Sequence, residues 1–78
     1  MTSTTLPQPI DYEGRSKIGI EWYATEADAT ANLPRVEADT QRKLGQGYDF
    51  GYSWPGRAPW FDRKDEQGNV TAFAVVVP

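Results

Sequence analysis

Apolar and polar residues alternate cleanly over KIGIEWYA, residues 17–24. Ile18, Ile20 and Trp22 fall on one face, and Lys17, Gly19, Glu21 and Tyr23 on the other. A period of two predicts a half-buried strand. The period then changes. Through TEADATANLPRVEADTQRKLGQG, Ala29, Leu33, Val36, Thr40 and Leu44 recur at helical spacing. Thr25 suits an N-cap, and Glu26 and Asp28 suit the positive end of the helix dipole. Arg42 and Lys43 lie where cations are favoured, and Gly45 or Gly47 can supply a left-handed C-cap. Pro34 is discordant, because it removes a backbone donor and crowds the preceding turn. A short helix followed by a second one starting at the proline is an alternative. The apolar stripe continues in phase across Pro34, so we expect one helical region kinked there.

Period two returns in YDFGYSW, with Tyr48, Phe50, Tyr52 and Trp54 on one face and Asp49, Gly51 and Ser53 on the other. This is the strongest strand pattern in the chain. PGRAP, residues 55–59, reads as a turn and loop with Arg57 at its tip. WFDRK reads as a short strand and DEQGN as a hairpin turn with Gly68 at positive φ. VTAFAVVV is β-branched and apolar on both faces after Thr71, which predicts a central strand or one paired with another chain. Residues 1–14 are rich in Thr, Ser and Pro and read as a flexible leader, extended near Ile10 and Tyr12. The expected fold is α+β: one Pro34-kinked helix on a mostly antiparallel sheet of about four strands, in the order β-α-β-β-β. Residues 15–78 form a single domain.

Composition narrows the chemistry. Cysteine and histidine are absent, which removes thiolate nucleophiles, the usual proton shuttle and the commonest metal ligands. The net charge is −3, with eight basic and eleven acidic residues spread along the chain. Duplex DNA binding needs clustered cations, and none cluster here. No apolar run approaches the ~18 residues of a membrane span, and the first residues have no hydrophobic centre of the kind a signal peptide needs. The expectation is a soluble cytoplasmic protein without cofactor. GQGYDFG fails as a dinucleotide-binding loop, since its third glycine is misplaced and it follows a helix. DRKDEQGN fails as a calcium loop, because Lys64 and Gln67 occupy positions that need an oxygen ligand and a glycine. NVT, residues 69–71, is too common a pattern to carry weight. No histidine can activate a serine, and Lys17, Lys43 and Lys64 all read as exposed, so no catalytic set is expected.

The stretch GYDFGYSWPGRAPWF, residues 47–61, holds six of the ten aromatic residues. Tyr48, Phe50 and Tyr52 are expected to fill the gap beneath the helix. Trp54 and Trp60 flank Arg57: either they cap the open end of the core with Arg57 solvated, or antiparallel strands bring the two indoles together with Arg57 stacked on one of them. Tryptophan and arginine are enriched in binding hot spots. The leading expectation is a small non-enzymatic protein-binding module. It would act as an inhibitor, regulator or adaptor that occludes a partner, as phage and mobile-element accessory proteins often do. Its surface would be Trp54, Arg57 and Trp60, or an outer sheet face with Tyr23, Asp49 and Ser53. The alternative is binding of a small ligand or single-stranded nucleic acid, with Arg63 and Lys64 near the tryptophans. A third possibility is a homodimer joined through Val75–Val77.

Overall fold

The computed structural model describes residues 5–78, and its elements are taken in chain order. Strands β1 (Asp11–Arg15) and β2 (Ile18–Tyr23) form a hairpin. Helices α1 (Glu26–Ala31) and α2 (Leu33–Gly45) follow. Strand β3 (Gly56–Arg57) leads into a 3₁₀ turn (Pro59–Phe61), and strands β4 (Arg63–Lys64) and β5 (Val70–Val77) complete the chain. All pairings are antiparallel, in the order β1-β2-β5-β3, with β4 also on β5. The architecture is therefore α+β, one main helix packed on an antiparallel sheet, with five strands where about four were expected.

Strand β5 is central because its residues are apolar on both faces. Val75 and Val77 lie with Tyr23 beneath Ala29, Leu33 and Val36 of the helices. Ala72, Ala74 and Val76 lie with Ile20, Trp22 and Ala58 on the opposite face, where Ile18 and Phe61 pack against them. So β2 is buried on both faces, and the helices cover its Tyr23 side. Tyr23 is fully buried, which corrects its assignment to an outer face. Both edges of β5 are occupied at Val75 and Val76: Glu21 and Ile20 pair on one side, Arg57 and Gly56 on the other. Pairing of two copies through these residues would have to displace β3.

The helical region breaks at Asn32 rather than bending at Pro34. Thr25 caps α1 by accepting from the Asp28 N–H at 3.1 Å. Asn32 is buried, and its side-chain amide donates to the carbonyls of Asp28 at 2.9 Å and Pro7 at 3.1 Å. Pro34 falls in the first turn of α2, where its missing N–H costs nothing. The bond to Pro7 ties residues read as leader to the helix junction. The Ile10 N–H continues the β1 ladder by donating to Trp22 at 2.7 Å. Thus sheet pairing begins at Ile10 and Asp11, inside the stretch expected as leader, and of that stretch residues 1–4 lie outside the described residues.

The largest departure is YDFGYSW, which forms no strand. Gly51 has φ +59°, outside the β region, and its N–H is held by the Asp49 carboxylate at 2.9 Å. Ser53 N–H donates to Phe50 C=O at 3.1 Å, closing a second turn. Local turn chemistry therefore overrides the alternation. None of these rings joins the buried cluster beneath the helices. Phe50 is buried with Tyr48 at 4.7 Å and Trp54 edge-on at 5.8 Å, while Tyr52 is fully exposed. The Tyr48 hydroxyl donates to the Lys17 carbonyl at 2.7 Å and pins this loop to the β1–β2 turn.

Candidate functional site

PGRAP is an edge strand, not a free loop. Gly56 and Arg57 pair with Val76 and Val75, and Ala58 N–H donates to Ala74 C=O at 3.1 Å. The chain then leaves β5 for the 3₁₀ turn and returns at Arg63, opposite Ala72. Strands β3 and β4 are two ends of one interrupted strand along a single edge of β5. WFDRK, expected as a short strand, pairs as strand only in its last two residues.

The interruption removes a main-chain acceptor, and Asp62 supplies a replacement. Its carboxylate accepts the Ala74 N–H at 2.8 Å. The same carboxylate takes both terminal nitrogens of Arg57, each at 2.7 Å, and Arg57 also donates to Ala74 C=O at 2.9 Å. The side chains of Arg57 and Asp62 are 16% and 6% exposed, so this bidentate pair is largely withdrawn from water. Burial alone would raise the Asp62 pKa, but the Arg57 hydrogen bond, the Ala74 N–H and the Arg57 charge outweigh it and hold the carboxyl below its ordinary value. The hydrogen bond to Asp62 raises Arg57 in turn, against its own burial. Arg57 lies over Phe73 at 5.3 Å, not over an indole. Its expected place as an exposed stacking cation is therefore corrected: it is a structural staple.

The two tryptophans do not meet. Trp54 sits two residues before β3 and Trp60 three after it, both along the outer edge of β5, and they are 57% and 75% exposed. Asp49 is exposed and engaged with Gly51. Arg63 places its guanidinium 3.9 Å over the Trp22 ring and pairs with Asp11 at 2.9 Å, so it roofs the helix-free face of the sheet. Tyr23 donates to Glu21 at 2.5 Å, and Glu21 pairs with Arg35 at 2.7 Å. Burial, then the Glu21 hydrogen bond and charge, push the Tyr23 hydroxyl up to about 12. Of the six residues singled out, only Trp54 and Trp60 combine large apolar area with exposure.

Beside Trp54 lies a groove of about 390 Å³, walled by Leu33, Val36, Glu37, Thr40 and Gln41 of α2 and by residues 54–57. A second hollow, of about 290 Å³, lies between the β1–β2 turn and the loop, lined by Arg15, Lys17, Ile18, Phe50 and Phe61 among others. Arg15 is committed there, ion-paired with Glu13 and 5.2 Å over Phe61. The helix wall of the groove was not foreseen from the sequence, because Glu37 and Gln41 lie outside the apolar stripe of Leu33, Val36, Thr40 and Leu44. The prolines bracketing GRA were the available sign of a short edge strand. Among the described residues no cluster of three acidic side chains is placed to hold a metal ion, and no helix is long and apolar enough to cross a membrane. Compared with models of protein families, with curated proteins and with solved structures, the chain matches none.

Proposed function

We propose that this protein is a small, non-enzymatic protein-binding module that works by docking onto a partner through the β3 edge and its flanking tryptophans. The carrying observation is the exposure of Trp54 and Trp60 along one sheet edge in a chain whose other tryptophan is buried. Tryptophan gives up much solvent-exposed apolar area on docking at a small entropic cost, which is why it anchors interfaces. Tyr52, fully exposed, adds a third ring on the adjoining loop.

The small-ligand or single-strand alternative draws less support. It needs a cation beside the indoles, and Arg57 is already neutralised by Asp62. The test is retention of proteins from nuclease-treated lysate by the tagged chain and by a Trp54→Ser, Trp60→Ser double variant. Both side chains are exposed, so the fold persists in the variant, as circular dichroism would verify. A stoichiometric protein held by the parent and lost from the variant supports the reading. Equal retention by both, or material that is retained only without nuclease, contradicts it.

A further inference from the structure

We infer that the groove between α2 and β3 takes an extended peptide segment, which joins the sheet at Arg57 and places an apolar side chain beside a basic one. This deepens the protein-binding reading and rests on it.

The backbone supplies the first argument. In an antiparallel ladder the paired and outward-facing residues alternate. The bond from Ala58 N–H to Ala74 C=O fixes Ala58 as an inward position, so Gly56 is inward and Arg57 outward. The Arg57 N–H and C=O therefore point away from β5, and no other described residue bonds to them. An outward donor and acceptor on an edge strand form the template that strand addition uses. Pro55 and Pro59 bracket the site and offer no N–H. The template is one residue long and admits a short segment, not a second sheet.

The groove supplies the second argument. Leu33, Val36 and Trp54 give it an apolar wall, which suits one aliphatic or aromatic side chain. Its charge selects the neighbour. Arg57 is spent on Asp62, whereas Glu37 on the opposite wall makes no ion pair among the described residues. Glu26 approaches Arg57 at 3.7 Å and is otherwise exposed. The unmatched Glu37 carboxylate favours a lysine or arginine on the incoming segment. A second copy of this chain is a poor occupant: its extended stretch before β1, LPQPI, has two prolines and no basic residue.

The experiment pans a random peptide library displayed on phage against the full chain, then maps an enriched synthetic peptide by amide chemical shifts. The expected peptides pair an apolar with a basic residue and shift the Arg57 amide together with those of Val36 and Glu37. Methylating the peptide nitrogen that faces Arg57, or replacing Glu37 by Arg, should weaken binding by about tenfold, the loss of roughly one hydrogen bond or ion pair. The inference is overturned if no peptide is enriched, if enriched peptides are acidic, or if they shift amides away from the groove. These failures are separable from failure of the broader reading. A protein partner that the double tryptophan variant loses, with no peptide at the groove, leaves the module standing and removes the groove's role.

Discussion

VTAFAVVV and YDFGYSW both promise strands, yet only the first becomes one. Apart from Phe73, residues 70–77 are β-branched or small, and every one from Ala72 onwards finds a neighbour on one face or the other. Residues 48–54 alternate large rings with Asp, Gly and Ser, and those three small residues are turn formers. Asp49 captures the Gly51 N–H, and Gly51 adopts a left-handed conformation. A period-two pattern of rings therefore predicts a strand only where the intervening residues also favour extension. The rings that lost their place in the core are left for the surface, and two of them, Tyr52 and Trp54, flank the candidate binding edge.

The sharpest way to disturb the strand side of this contrast is Asp62→Ala. It strips β5 of its substitute acceptor at Ala74 and leaves Arg57 partly buried without its main partner. We expect a loss of about 3 kcal/mol in chemical denaturation. The same residue shapes the acid limb. Its folded-state pKa lies below the ordinary 3.8, so its contribution is complete above that pH and declines as the pH falls below it. Denaturation midpoints measured on both sides of pH 3.8 should show a shallower acid fall in Asp62→Asn than in the parent.

Next in size is Val75→Ala, which opens space in the fully buried layer under α2 and should cost about 2 kcal/mol. Gly51→Val makes residues 48–54 more strand-like on paper. It should nonetheless destabilise by about 1–2 kcal/mol, because a β-branched residue is strained at positive φ. Tyr52→Ser marks the other extreme. This ring is fully exposed, so its removal should change stability by no more than about 0.5 kcal/mol while reducing partner retention.

The sequence disclosed those features that rest on periodicity over many residues. The hydrophobic stripe of α2, the alternation of β2, the Thr25 cap, the Gly68 hairpin and the central β5 were all legible. What was hidden depends on pairs brought together by the fold. Nothing in the spacing of Arg57 and Asp62 shows that a carboxylate will replace a ladder carbonyl, so Arg57 read as free when it is a staple. Tyr23 read as exposed because the adjoining Ile18, Ile20 and Trp22 made the more apolar face, whereas the sheet is covered on both sides. The break at Asn32 was hidden for a similar reason: it depends on a carbonyl from Pro7, 25 residues away. Trp54 and Trp60 were legible as candidates, but the groove beside Trp54 was not, because half its wall comes from α2.

The central claim is that residues 48–54 are a surface loop and Val70–Val77 is the core strand. Residue-resolved amide hydrogen exchange tests it most directly. Val75 and Val76 should exchange only through global opening, and Tyr52 and Trp54 orders of magnitude faster. Slow exchange at alternate residues of 48–54, matching that of β5, would show a paired strand there and contradict the account.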